Sequence, residues 1–296
     1  VVIFVESEIW PNIFKTLNKE NIPLMLLNAR ITRKTFKKWN YVKGFSNSIF
    51  KNISTAYPQN NETFNYLKRL NVSKIKRIGN LKFINNDQDK PIRLNRTLLR
   101  DLKKRKFWCA SSTHSGEEII CADVHINLKK KYKNLLTIII PRHIHRVNKI
   151  VNEIKSLDLN IVLHSSRPKK LNNTDIYLVD TYGETQKFYH SSDIVFMGKS
   201  ISGKGGQNPL EPTNLGSTVL YGPNVDNFKD TYKLLNKLKV AYKVNGVKSL
   251  TQSIDKLITK PNNKKNYLKI AKMGKKILNE TKDEINSLFN NEIKKT

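Results

Sequence analysis

Residues 135–143 of the chain read LLTIIIPRH, and this stretch decides the fold class. Its largely apolar first part predicts a strand buried on both faces, as strands of parallel sheets are. The strand runs directly into Pro141-Arg142-His143, so Arg142 extends from the carboxyl edge of the predicted sheet, where open α/β sheets bind their ligands. Arg142 is therefore either a phosphate clamp or half of a surface ion pair.

Short apolar runs of this kind alternate with amphipathic stretches of helix length along the whole chain. This alternation predicts an α/β fold with parallel sheets covered by helices on both faces. Helices are predicted to begin at Pro11 and near Thr32, and another covers residues 62–70. The predicted strands lie at residues 3–5, 24–27, 54–57, 107–110, 135–140, 161–163, 176–179, 194–196 and 219–221.

The polar, turn-rich stretch at residues 85–91 marks the predicted domain boundary. We predict a first domain over residues 1–90 and a second over residues 91–296, which includes a Lys-rich helical tail from Asn262. The first part has only three or four strands, too few for a complete doubly wound domain. The chain also opens on a strand without a Met, so we expect further strands upstream of Val1.

The composition is that of a globular protein with an extreme charge. The 296 residues are 38% hydrophobic and carry a formal net charge of +30. Such a charge attracts phosphates, nucleic acid or anionic lipid headgroups, although a codon bias toward Lys would produce it as well. No apolar run is long enough to cross a bilayer, and two cysteines without CxxC spacing favour neither a disulfide framework nor a zinc site.

Two loops at predicted strand ends offer groups that bind anions. Residues 111–118 read SSTHSGEE and lead into a helix, so they are either a ligand loop or a helix cap with a capping box. Residues 180–184 read DTYGE, where Gly183 permits close approach of a phosphate or base, while an ordinary N-cap explains the sequence equally well.

A glycine-rich loop at residues 198–208 follows the strand predicted at 194–196, and it lacks the spacing of a Walker A loop. It ends in Asn208-Pro209-Leu210-Glu211-Pro212, where two prolines bracket a carboxylate. A rigidly held acid at this place can accept the two hydroxyls of a ribose. Alternatively, Glu211 is simply a favourable charge at the start of a helix.

The first part of the chain carries its charged residues at two places. Glu6 and Glu8 follow the opening strand, and Lys82 follows Gly79-Asn80-Leu81. Each of the three is either a functional group at a sheet edge or a solvated surface charge.

The order of these motifs resembles that of bacterial transferases of 3-deoxy-D-manno-octulosonic acid (Kdo). The resemblance spans nearly the whole chain and depends on the joint occurrence of the motifs. They are ESEIWPN at residues 6–12, NAR at 28–30, GNLKF at 79–83, STHSGEE at 112–118, PRH at 141–143, DTYGE at 180–184 and GGQNPLEP at 205–212, with Gly222-Pro223 and Asn227-Phe228 beyond.

This resemblance implies a glycosyltransferase-B fold of two facing Rossmann-like domains. It also implies a CMP site in the second domain and transition-state stabilisation by Glu6, Glu8 and Lys82 from the first. The implied CMP-binding residues are Pro141, Arg142, Tyr182, Gly183, Glu184, Asn208, Pro209, Leu210 and Glu211. Further candidates for contacts with donor or acceptor are Arg30, Ser112, Thr113, His114, Gly206 and Gln207.

This sequence differs from the usual family pattern at two positions, and one residue of the family is expected to lie outside it. Gln207 stands where the family usually carries His, and Lys199 stands where a second Gly is usual. The general base of the family, a Glu, is expected upstream of Val1, so this chain alone should bind CMP more readily than it transfers Kdo. No cofactor and no metal ion are implied, and the six His residues show no ligand spacing.

The expected reaction is the transfer of Kdo from CMP-Kdo to a lipid A precursor in lipopolysaccharide biosynthesis. The expected location is the cytoplasmic face of the bacterial inner membrane, whose anionic surface would attract the basic chain. One alternative is another nucleotide-sugar glycosyltransferase or an epimerase of the same fold. Another is a basic nucleic-acid-binding protein, which the lack of any nucleic-acid-binding motif disfavours.

Overall fold

The computed structural model of the chain describes residues 1–84, 93–260 and 264–293. It divides into two compact units, one formed by Val1–Asn85 with Ile270–Thr296 and the other by Asn86–Lys269. The polar stretch at 85–91 and the boundary predicted at residue 90 lie outside the described residues.

The first unit contains a three-stranded parallel sheet in the order β1-β2-β3. Phe14, Leu26 and Phe50 are fully buried on one face of this sheet. Only Val42 separates two of the helices, so the sequence pattern does not resolve them as two. The elements are β1 Val2–Val5, α1 Pro11–Lys19, β2 Leu24–Ala29, α2 Arg33–Tyr41, α3 Lys43–Phe50, β3 Thr55–Pro58, α4 Asn61–Arg69 and a 3₁₀ helix at Leu81–Phe83.

The second unit contains a seven-stranded parallel sheet. All six strands predicted for this part of the chain are present. A seventh, β10, has the sequence Ala-Tyr-Lys with two exposed residues, so it lacks the apolar run that predicts a strand. The strands are β4 Lys106–Thr113, β5 Leu135–Pro141, β6 Ile161–Leu163, β7 Ile176–Leu178, β8 Ile194–Met197, β9 Thr218–Tyr221 and β10 Ala241–Lys243. The helices are α5 Arg96–Lys103, α6 Glu117–Lys129, α7 Val147–Lys155, α8 Thr185–Ser191, α9 Leu210–Asn214, α10 Lys229–Lys237 and α11 Val247–Leu257.

The C-terminal tail forms the long helix α12, Lys264–Ile293, which confirms the predicted helical tail. Its assignment to the second domain is wrong for the part from Ile270, which belongs to the first unit. There, Ile285 and Leu288 pack on Met25 and Tyr57. The physical reason is that a parallel sheet needs cover on both faces, and these residues cover the face opposite the main core of the first unit.

The order of strands in the second unit places its functional edge. The order is β10-β9-β8-β4-β5-β7-β6, so β4 lies in the middle between β5 and β8. The chain leaves β4 to form β5 on one side and later returns to form β8 on the other. The carboxyl ends of β4 and β8 therefore form the topological switch point, where open α/β sheets bind ligands. Within the described residues, no helix is both long and apolar enough to cross a bilayer.

A buried polar network at the amino edge of this sheet, opposite the carboxyl ends of the strands, makes the free energy of unfolding depend on pH. The His125 side chain is fully buried between Thr137, at 2.9 Å, and Asp175, at 3.3 Å. Burial lowers the pKa of His125 from 6.5 to about 4, and the attraction of Asp175 only partly offsets this effect. The imidazole is therefore held neutral in the folded chain and takes up a proton more readily when the chain unfolds.

We predict that the free energy of unfolding is steady near neutral pH and falls as the pH drops from 6.5 toward 4. The contribution of His125 to this fall is about 3 kcal/mol, because each pKa unit corresponds to about 1.4 kcal/mol. Denaturant titrations at several pH values measure it. His125→Gln should flatten the dependence, and the exposed His190→Gln is the matched control. An unchanged slope in His125→Gln would contradict the prediction.

Candidate active site

A cleft of about 360 Å³ opens at the switch point of the second unit. Its walls come from residues at or just after the ends of β4, β5 and β8, from the segment around α8, and from the start of α9 with the turn before it. This volume is typical of sites for small ligands. The lining residues are Ser112, Arg142, Gly183, Thr185, Gln186, Tyr189, Met197, Gln207, Asn208 and Glu211.

The floor of the cleft depends on close contact between the ends of β4 and β8. Ser112 takes a left-handed backbone conformation with φ of 54°. The backbone N–H of Gly198 donates to Ser111 O at 2.8 Å. A Cβ atom on Gly198 would lie 2.4 Å from the Ser112 carbonyl oxygen, so only glycine fits here.

Arg142 is the cation at the wall of the cleft. Its backbone N–H donates to Thr113 O at 3.1 Å, which ties the loop after β5 to the end of β4. Its side chain is exposed at the carboxyl edge of the sheet, as the sequence predicted. A planar guanidinium in this place can bind a phosphate with two N–H groups.

The cleft is also lined by a carboxylate and by amides. The Gln186 Nε2 group donates to Glu211 Oε1 at 3.2 Å, and Glu211 lies in the first turn of α9. Asn208 Oδ1 accepts from the Leu210 backbone N–H at 3.2 Å, which fixes the turn that leads into this helix. Pro209 and Leu210 are buried and hold the turn in place rather than lining the cleft.

Tyr189 is a buried residue of the cleft wall that the sequence does not indicate. Its hydroxyl lies 2.7 Å from Ser111 Oγ, and burial raises the pKa of the phenol far above its usual value, so Tyr189 remains neutral. Thr185, Gln186 and Met197 were missed as well. The position of Met197 at the end of β8 was the available signal, since residues at strand ends face the crevice.

Some predicted residues lie elsewhere among the residues that the structure describes. Glu184 forms an ion pair with Lys187 at 2.8 Å and lines a second depression of about 400 Å³, together with His164, Arg167 and Thr181. Tyr182 is 73% exposed. Pro141, Thr113, His114 and Gly206 support the loops of the cleft but are not among its lining residues.

Three histidines form a row beside the loops after β4 and β5. The ring centroids of His114 and His143 are 5.7 Å apart, and those of His143 and His145 are 5.5 Å apart. Partial desolvation, together with the neighbouring His and Arg side chains, lowers the pKa of His143. His114 Nδ1 lies 3.0 Å from Ser112 O, so this nitrogen carries the proton and donates to the carbonyl.

The first unit brings Glu6 and Lys82 together. Lys82 Nζ lies 2.7 Å from Glu6 Oε1. Asn28, which takes a left-handed conformation, accepts the Leu81 backbone N–H at 3.1 Å and so holds the 3₁₀ helix that carries Lys82. The motif at residues 28–30 contains Asn28, but the sequence does not indicate this role for it.

The two predicted acids of the first unit differ in their contacts. Glu8 is exposed and accepts a hydrogen bond from Trp10 Nε1 at 2.8 Å, whereas Glu6 pairs with Lys82. Arg30 lies next to Glu6, because the Arg30 backbone N–H donates to Glu6 O at 3.0 Å. Glu6, Lys82 and Arg30 therefore form one charged edge of this sheet.

The sequence matches known proteins along nearly its full length. A family model described as 3-deoxy-D-manno-octulosonic-acid transferase matches residues 1–85. The chain is 30% identical to the 3-deoxy-D-manno-octulosonic acid transferase of Haemophilus influenzae, over 97% of the chain and 67% of that protein. This chain belongs to the Kdo transferase family. A second member, from Rickettsia bellii, is 31% identical over 97% of the chain and 70% of that protein.

Solved structures agree with this family at the level of the fold. The C-terminal CMP-Kdo binding domain of WaaA from Acinetobacter baumannii matches with a TM-score of 0.53 and 23% identity, over 62% of the chain and 92% of that domain. A putative UDP-N-acetylglucosamine 2-epimerase from Listeria monocytogenes matches with a TM-score of 0.58 and 13% identity, over 97% of the chain and 74% of that protein. The Kdo transferase chain thus has two Rossmann-like units of the glycosyltransferase-B type.

Proposed function

We propose that this Kdo transferase takes its sugar from CMP-Kdo and that the cleft of the second unit binds the CMP portion of the donor. The observation that carries the proposal is that one guanidinium, from Arg142, and one carboxylate, from Glu211, line the same cleft. CMP has one phosphate and one ribose. The guanidinium suits the phosphate, and the carboxylate can accept the ribose hydroxyls. The similar domain of the Acinetobacter protein binds CMP-Kdo, which supports the same donor.

We propose that the first unit binds the acceptor and stabilises the transition state. In the transfer, an acceptor hydroxyl attacks the anomeric carbon of Kdo and gives its proton to a general base, while the bond from that carbon to the CMP phosphate oxygen breaks. The leaving CMP takes the electron pair, so negative charge grows on its phosphate and positive charge grows on the sugar. Lys82 is suited to the first charge and Glu6 to the second, because each side chain carries the sign opposite to the charge that develops.

The proposed acceptor is a lipid A precursor at the cytoplasmic face of the inner membrane. Both this acceptor and the membrane surface are anionic, and the chain carries a net charge of +30. Such a charge favours association with phosphate-bearing lipid.

Calorimetric titration with CMP tests the donor assignment. We expect CMP to bind and UDP to bind at least about tenfold more weakly, a difference of about 1.4 kcal/mol. Preference for UDP would replace the proposal with an epimerase or another nucleotide-sugar transferase of this fold. Tight, steeply salt-dependent binding of a DNA duplex, together with no response to CMP, would favour a nucleic-acid-binding protein instead.

A further inference from the structure

Glu117 is a buried acid whose position the proposed chemistry does not explain. It is the first residue of α6, and its side chain is fully buried. Ionised carboxylates are costly to bury unless several hydrogen bonds compensate for the lost water. The contacts of Glu117 therefore indicate what the fold requires of it.

The Glu117 carboxylate accepts four backbone N–H groups. Oε2 accepts from His114 at 2.9 Å and from Lys199 at 2.7 Å. Oε1 accepts from Ser200 at 3.0 Å and from Ile201 at 3.0 Å. The contact with His114 is local, since His114 lies three residues before Glu117, whereas the other three contacts reach a loop more than eighty residues away.

These contacts join the two loops that meet at the switch point. The His114 contact holds the loop after β4, which contributes Ser112 to the cleft. The other contacts hold residues 199–201, directly after β8. Lys199 O in turn accepts the Gly206 N–H at 3.2 Å, next to Gln207 and Asn208 of the cleft wall. Glu117 is therefore connected through backbone hydrogen bonds to both sides of the cleft.

The held loop is strained at Lys199. Its φ of 58° lies in the left-handed region, which glycine adopts without strain and other residues adopt at a cost of about 1 kcal/mol or more. A strained residue persists only where its surroundings fix it. The hydrogen bond from the Lys199 N–H to Glu117 Oε2 supplies such a constraint.

We infer that Glu117 is a positioning residue for the donor site, because its carboxylate sets the loop at residues 199–206 in the conformation that completes the cleft. The inference deepens the proposed function and rests on it. It concerns how the cleft is shaped, since Glu117 itself is not among the residues that line it.

The test replaces Glu117 by Gln, which keeps the size and loses the charge. The amide group can no longer accept all four N–H groups. We expect the affinity for CMP to fall at least about tenfold, with faster amide deuterium exchange in the peptide that contains residues 199–201. The control is Glu118→Gln, since Glu118 is equally buried but pairs with the Arg146 side chain. It should lower thermal stability and leave the affinity for CMP within about threefold.

A second variant separates positioning from general stability. Lys199→Gly removes the left-handed strain, so the double variant Glu117→Gln/Lys199→Gly should regain part of the lost affinity for CMP. A purely structural role predicts recovery of the melting temperature without recovery of affinity, and this outcome would overturn the inference. Affinity of Glu117→Gln within about twofold of the parent chain would overturn it as well.

The unaltered chain provides a measurement that does not depend on a variant folding. The amides at residues 199–201 should exchange slowly, because a buried carboxylate holds them. Exchange at the rate of an open loop would refute the inference. If the unaltered chain protects these amides but does not bind CMP, the proposed function fails while the hold on the loop stands, so the two failures are distinguishable.

Discussion

Replacing Arg142 by Ala is expected to lower the affinity of the chain for CMP by about thirty- to one-hundredfold. Hydrogen bonds between charged groups are each worth about 1.5–3 kcal/mol, and the guanidinium is the one cation among the described lining residues of the cleft. The loss should come without a large loss of stability, because the Arg142 side chain is exposed. Calorimetric titration with CMP measures the first effect and thermal unfolding the second.

Two further variants test whether the effect is specific to the guanidinium of Arg142. Arg142→Lys keeps the charge but loses the planar fork, so its affinity should lie between those of the parent and the Ala variant. Arg167→Ala removes an exposed Arg that lines the second depression of the same unit. It should leave CMP binding unchanged. Weaker binding in Arg167→Ala but not in Arg142→Ala would place the nucleotide in the second depression and contradict our assignment.

Replacing Lys82 by Met is expected to lower the rate of Kdo transfer by about one-hundred- to one-thousandfold. Removal of one preorganised group that stabilises developing charge typically has an effect of this size. Affinity for CMP should fall much less than the transfer rate, because the described lining residues of the cleft belong to the second unit and Lys82 belongs to the first. The assay follows transfer from CMP-Kdo to a tetraacylated lipid A precursor by the natural full-length protein.

The two acids that follow β1, Glu6 and Glu8, provide the comparison for this prediction. Glu6→Gln removes the partner that lies 2.7 Å from Lys82 Nζ and should slow transfer strongly. Glu8→Gln alters an exposed group that contacts Trp10 and should have a small effect. Equal effects of the two variants would show that the ion pair does not distinguish the two acids. Normal transfer by Lys82→Met would remove Lys82 from the mechanism.

Most strands of this protein, and the strand ends whose loops carry polar groups, can be predicted from local sequence alone. Apolar runs such as residues 135–140 specify buried strands, because both faces of a parallel sheet are covered. Strand ends then locate Arg142 and Ser112, both of which line the cleft. These features are local, so periodicity and turn residues encode them within a few positions. The family resemblance rests on the same local motifs.

Contacts between residues far apart in the sequence became visible only in the folded chain. Glu117 reads as a helix cap in the sequence, and it reaches Lys199 only because β4 and β8 are neighbours in the sheet. Glu6 and Glu8 look equivalent until the Asn28 contact places Lys82 beside the first of them. The part of α12 from Ile270 reads as a tail of the second domain but covers a face of the first sheet. Strand order and the burial of sheet faces are long-range properties, and no local pattern records them.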